Sequence, residues 1–475
     1  MNSARTNPIA EGAPAAPSVR WALAGLSLSM LLSSLGTSIA NVALPTLTST
    51  FAAPFQQAQW VVLAYLIAIT SLVVGAGRLG DIVGRRRLLL AGIVLFALAS
   101  VLCSIAATLP VLIAARAGQG AGAAIMMALT MAFVGETVPK ERTGSAMGLL
   151  GAMSAIGTAL GPSLGGLLIA GFGWRAIFLV NVPLAMLTLA LAYLYLPADR
   201  GRAAAERPGF DGVGMLVLAL TLAAYALAMT LGRGSFGALN IALLAAAVIG
   251  VGLFVLVQAT AASPLIRLAM FRNPALRSAL AASALVSTVM MATLVVGPFY
   301  LSLALGLDTA TVGFALSAGP LVVALAGVPA GVIADRHGAL RVTVAGLVGI
   351  VAGSWLLAMM PLRFGIPGYV IPLVVLTAGY ALFQTANNTA IMSGIATQER
   401  GVVSGILNLS RNLGLVTGAA VMGAVFALAS GTSEMVGARP DAIAGGMRVT
   451  FAVAGGLIVV ALAIVAAGRL ARRAD

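Results

Sequence analysis

Apolar residues run along this chain in long blocks cut by glycine, proline and charge. The blocks lie near 21–45, 58–77, 88–108, 111–134, 145–170 and 175–196, then 212–231 and 238–262, then 277–304, 310–333, 342–361, 368–392, 403–429 and 448–468. A helix needs roughly 20 apolar residues to cross a bilayer, so the pattern predicts fourteen transmembrane helices in groups of six, two and six. The first block runs from Trp21 past Asn41 to Pro45, longer than a signal-peptide core, and reads as a retained helix. A charged linker, Pro197 to Asp211, precedes the middle pair. The amphipathic stretch Pro264 to Pro274 reads as an interfacial helix. The organisation expected is a tail over 1–20, a six-helix bundle over 21–200, a linker with two inserted helices and the interfacial helix over 201–275, and a second six-helix bundle with a short tail over 276–475. The fold class is an all-α polytopic membrane protein.

Composition then excludes whole classes of function. Of 475 residues, 60% are hydrophobic and 8% are charged, against about 25% charged in a soluble domain. A soluble enzyme, a disordered chain and a nucleic-acid binder are all ruled out. The net charge of +14 (27 basic, 13 acidic) is explained by placement. With both termini in the cytoplasm, 20 basic residues fall on that side and only Arg175, Arg233, Arg363, Arg439 and Arg448 on the other, as the positive-inside rule requires. Arg116 and Arg411 remain, both inside helices. Cys103 and His337 are the only residues of their kinds, so an internal disulfide and a multi-histidine or cysteine metal centre are excluded, and no cofactor is expected. A membrane-embedded enzyme or sensor would need a catalytic or metal-ligand signature, and none stands out.

An internal repeat is also legible. Gly77, Asp81, Gly84 and Arg87 recur at one offset as Gly331, Asp335, Gly338 and Arg341, and Gly148, Gly157 and Gly161 recur at a similar offset as Gly405, Gly414 and Gly418. Both sets occupy matching places in the two six-helix groups.

The motifs carry a family resemblance over nearly the whole chain. Gly77-x-Leu79-Gly80-Asp81-x-x-Gly84-Arg85-Arg86-Arg87 resembles the loop signature of the major facilitator superfamily. Its glycines permit a tight turn between close helix ends, and Asp81 can pair with arginine at a helix end. The resemblance implies a conformational latch, with Glu136 as partner of Arg85 and Asp335 as the repeat's counterpart. Leu112 to Ala124, with Arg116, Gln119, Gly120 and Gly122, resembles a second signature, which implies a part for Arg116 in proton coupling; an arginine braced by carbonyls is the alternative. Gly157-x-x-x-Gly161-Pro162-x-x-Gly165-Gly166 resembles the antiporter signature of exporters in this superfamily. Pro162 bends its helix, and the glycines give a smooth packing face. With fourteen spans, the chain is similar to the drug:proton antiporters of that type.

The resemblance implies efflux of small amphipathic compounds across the bacterial inner membrane, by alternating access around a site between the halves, in exchange for protons and by a monomer. Asn41, Gln119, Gln384, Asn387, Asn388 and Arg411 are the candidate cavity residues. Trp60 and Tyr65 could stack on flat ligands, although aromatic residues near a membrane interface are common; Met126 and Met127 offer an adaptable surface, for which core packing is the better account. The family pattern has an aspartate where Gly36 stands, and no midplane carboxylate replaces it. Two intramembrane arginines without a buried acid therefore keep open a selective exporter of one metabolite or anionic solute. Glu136 and Asp81 are the acids placed to titrate during a cycle.

Overall fold

Helix ends are set by residues that satisfy or relieve the first free backbone N–H groups. In the computed structural model, which describes residues 17–138, 143–199, 211–231, 237–261, 264–266, 268–392, 400–431 and 437–474, Asp211, Asn273 and Asp308 each cap a helix N-terminus through the side chain. The first group comprises α1 (Pro17–Val42), α2 (Trp60–Val83), α3 (Arg85–Ile105), α4 (Leu109–Thr137), α5 (Thr143–Phe172) and α6 (Asn181–Tyr195). The inserted pair is α7 (Gly212–Thr230) and α8 (Ala238–Thr260). The last group comprises α9 (Pro274–Phe299), α10 (Thr309–His337), α11 (Ala339–Met359), α12 (Gly365–Met392), α13 (Arg400–Thr417) and α14 (Pro440–Ala474). Fourteen spans among the described residues are long and apolar enough to cross a membrane.

Three local details depart from the sequence expectation. The first helix stops at Val42, because Pro45 starts a separate short helix, Leu44–Thr50. The stretch before α9 forms a five-residue 3₁₀ turn, Leu268–Arg272, in place of an interfacial α-helix. The thirteenth span passes through a π-turn, Gly418–Met422, before resuming over Gly423–Ala429.

Packing repeats between the halves. α1 lies on α5 and α6, as α9 lies on α13 and α14; α4 holds α2 and α3, as α12 holds α10 and α11. The two halves meet through α5 with α10 and α2 with α13, a pair of seams that the same pseudo-twofold exchanges. Large apolar side chains such as Leu98, Phe172, Leu325 and Ile371 point outward, as a lipid-facing surface requires. The inserted pair breaks the symmetry. α7 runs along α2, with Trp60 Nε1 donating to Thr230 Oγ1 at 3.0 Å and Met215 lodged beside Gly75. On its other side Tyr225 reaches Thr417 of α13. α8 packs on α7 and is otherwise largely exposed. Gln258 Nε2 donates to Asp211 Oδ2 at 2.6 Å, and its carbonyl accepts from Ile266 N at 3.0 Å, which ties the pair to the segment leading into α9.

The α2–α3 and α10–α11 turns, with Arg85, Arg86, Arg336 and Arg341, lie at the same end of the spans, which makes that end the basic face of the protein.

Candidate functional site

At the basic face, Gly84 and Gly338 turn the chain in the repeated motif with φ +110° and +85°, a backbone region that favours glycine. Asp81 on the last turn of α2 holds Arg85 at the start of α3, with Oδ1 2.9 Å from Nε and 2.7 Å from Nη2. The N-terminus of α3 is capped from far away in sequence. Asp199, beyond the end of α6, accepts from Arg86 N at 2.8 Å and Arg87 N at 3.1 Å, where the helix dipole favours a carboxylate. A Cβ on Gly84 would come within 2.5 Å of Asp199 Oδ2, so glycine is needed there twice over. Arg86 donates to the Tyr193 carbonyl and lies 5.2 Å from the centre of its ring. In the second half Asp335 is exposed and a Cβ on Gly338 would meet nothing, so the corresponding corner is bare among the described residues. The side chain of Glu136 lies outside the described residues, and Gly77 has open space around it.

Arg116 on α4 is fully buried and every nitrogen of its guanidinium is engaged. Nε donates to Val61 O at 2.8 Å, Nη2 to Gly36 O at 2.9 Å, and Nη1 to Gln119 Oε1. Its carbon lies 4.1 Å from the centre of the Tyr65 ring. Gln119 donates onward to Ser100 Oγ at 2.7 Å, and Tyr65 to Ser33 O at 2.7 Å. One cation thus joins α1, α2, α3 and α4 through backbone carbonyls and an amide. The geometry is that of the bracing alternative. A Cβ on Gly36 would stand 2.6 Å from Tyr65 Oη, so the space of the family's aspartate is filled by a phenol.

The α5 motif lies on two partners. Cβ atoms on Gly157 and Gly161 would strike Leu31 O at 2.4 Å and Ser38 at 1.9 Å, and one on Gly165 would meet Val42 at 2.7 Å, all on α1. Gly166 instead faces the other half. A Cβ there would be 2.6 Å from Thr309 O, and one on Gly313 would be 2.4 Å from Pro162 O. The motif therefore permits close packing both within the first half and between the two halves. On the opposite seam Gln59 Nε2 donates to Ala419 O at 2.9 Å, inside the π-turn, and Phe55 sits edge-on to Phe299 and Phe426. All of these contacts lie away from the basic face.

Toward the basic face the second half opens into a cavity of about 240 Å³ between α9, α12 and α13. Gln384, Asn387, Asn388 and Arg411 line it, together with Ser283, Ser287, Tyr380, Phe383 and Asn408. Two expected cavity residues are elsewhere. Gln119 is consumed by Arg116 and Ser100. Asn41 is buried and bonds back to Thr37 O and Ser38 O of its own helix. Trp60 is tied to Thr230 under α7, and Met126 is core. Asp199 was missed because it reads as one more charge in a polar linker; its signal is an acid just past the sixth block, at the end that carries the arginine triplet.

A profile of the Major Facilitator Superfamily matches residues 26–419. The riboflavin transporter RibZ of Clostridioides difficile (strain 630) is 30% identical over 406 residues, covering 85% of this chain and 87% of that one. Multidrug resistance protein Stp of Mycobacterium tuberculosis (strain ATCC 25618 / H37Rv) is 32% identical over 406 residues, covering 85% of this chain and 74% of that protein. Among solved structures, a bacterial homologue of the human lysosomal transporter Spinster superposes with a TM-score of 0.70 at 16% identity, covering 96% of this chain and 98% of that one. That last likeness concerns the fold alone.

Proposed function

The chain belongs to the Major Facilitator Superfamily, and from that premise we propose that it is a secondary active exporter of small amphipathic compounds, working by alternating access. The observation that carries this reading is the uneven contact between the halves. They touch through Gly166 and Gly313 on one seam and Gln59 and Ala419 on the other, while the cavity opens at the opposite, basic end. Such an arrangement suits a site loaded from one side and closed to the other. The excess of arginine assigns the basic face to the cytoplasm, with both termini there, in a bacterial inner membrane. Transport then results when the 21–200 bundle rocks against the 276–475 bundle, and a single chain suffices.

Export is favoured over uptake by the α5 glycine–proline motif and by relatives that include a multidrug resistance protein. Protons supply the driving force, with Asp81 or Glu136, the acids that the loop signature and the end of the fourth block supply, titrating during the cycle. Arg116 serves as the brace of the first half and acts on coupling only through the helices it holds.

Purified protein in liposomes with an imposed pH gradient tests the reading. Cationic, neutral and anionic dyes are offered, and gradient-dependent movement of at least one is expected. Movement that ignores the gradient, or none at all, overturns it. Full gradient-driven transport in both Glu136→Gln and Asp81→Asn would remove these acids from coupling. A narrower reading, export of one metabolite, is favoured by Arg411 and by the riboflavin transporter among the relatives.

A further inference from the structure

The two intramembrane arginines have opposite surroundings. Arg116 is saturated by carbonyls and an amide. Arg411 lines the cavity and, among the described residues, makes no hydrogen bond or ion pair. A guanidinium at membrane depth without a partner is costly, and a wet cavity only partly relieves that cost.

The internal repeat indicates what is unusual about its position. A Cβ on Gly157 would meet Leu31 O as one on Gly414 would meet Ala284 O, so α1 on α5 superposes in pattern on α9 on α13. In that register Ser34 and Ser154 correspond to Ser287 and Arg411. The first pair closes on itself, with hydroxyls 2.6 Å apart. The second puts arginine where serine would seal the packing, and Ser287 and Arg411 both line the cavity that results. Gln384 and Asn388 add carboxamides to the same wall, Phe383 and Tyr380 add rings, and no acid is among the described lining residues.

We propose that this cavity binds an organic anion with a flat ring, its carboxylate or phosphate paired with the Arg411 fork, its ring against Phe383 and Tyr380, and its polar edge on Gln384 and Asn388. The inference deepens the exporter reading, on which it rests for the direction of movement, by giving the cargo a charge. Arginine suits the task because its planar donors match an oxyanion two at a time. Carboxamides both donate and accept, so they read a ring edge without requiring a charge. A cavity of about 240 Å³ encloses a ring system and leaves larger substituents in the opening.

The test compares fluorescein with rhodamine 6G, which share a xanthene frame but carry opposite charges at mildly alkaline pH. Fluorescence anisotropy reads binding to the full chain in phosphatidylcholine nanodiscs without a gradient. Wild type is expected to bind fluorescein about tenfold or more tighter than rhodamine 6G. Arg411→Gln should erase the preference, Arg411→Lys should keep part of it, and Asn388→Asp should weaken fluorescein while strengthening rhodamine 6G. Thermal midpoints check folding, and if Arg411→Gln does not fold the Asn388→Asp arm decides. Equal or tighter binding of rhodamine 6G by wild type, or a preference that survives the substitutions, overturns the proposal. Repeating the measurement with phosphatidylglycerol identifies the source of the anion: displacement of fluorescein would assign the cavity to a lipid headgroup and overturn the solute. Intact preference with no gradient-driven transport would count against the exporter and keep the site.

Discussion

Gln59 and Ala419 join the two halves by an amide-to-carbonyl hydrogen bond of 2.9 Å, whose acceptor lies in the π-turn that follows α13. Removing the donor should loosen the closed end. Gln59→Ala is expected to weaken the closed seam by about 1 kcal/mol, roughly fivefold in population. Hydrogen exchange over 55–63 should rise accordingly, and unchanged exchange there would mean the bond does not hold the seam.

The cap on α3 makes a separate prediction. Asp199→Ala leaves Arg86 N and Arg87 N without their acceptor and should cost about 1 kcal/mol. Asp199→Asn should recover most of that, because an amide oxygen still accepts. A lower thermal midpoint for alanine than for asparagine is the expected result, and equal midpoints would show that the cap contributes nothing.

These contacts show where the sequence was readable. Fourteen spans were legible because length and composition suffice to recognise a helix that crosses a bilayer, and the repeat was legible because Gly84 and Gly338 mark the same turn. The role of Asp199 was not, since it lies 113 residues from Arg86 in the chain. The sequence set Arg411 among the cavity residues but left Arg116 between coupling and bracing, because the acceptors that α1, α2 and α4 bring to it meet only in the fold. Helices apolar on every side leave their rotation undetermined, which is why Asn41 and Gln119 were expected in the cavity and lie outside it.

The missing aspartate can be tested by restoring it. Gly36→Asp alone should cost about 2 kcal/mol through the clash with Tyr65. Adding Tyr65→Ala makes room and sets a carboxylate beside Arg116, so the double variant should be more stable than Gly36→Asp. Thermal midpoints of the four proteins of the cycle measure the coupling, and simple additivity would refute the steric account.

A pH dependence is expected at the face opposite the arginines. Hydrogen bonds from Thr311, through its side chain and backbone, hold the Asp308 carboxyl below its usual range. The folded state therefore prefers the charged form. The stability this contributes is present above the unfolded-state pKa and is lost as pH falls through the depressed folded value. Asp308→Ala should flatten the acid limb of a stability profile, and an unaltered limb would assign the acid sensitivity elsewhere.

The inserted hairpin has a consequence for the surrounding lipid. α7 lies against α2 through Trp60 and Gly75 and against α13 through Tyr225, so it sheathes one of the two seams between the halves. The α5–α10 seam has no such cover among the described residues. The approach from the bilayer is thus one-flanked: a molecule dissolved in the membrane meets the uncovered α5–α10 seam on one side of the transporter and a helical wall on the other. Each swing of the halves must also slide that wall along α2 or α13, which makes the hairpin a moving part and not a passive addition.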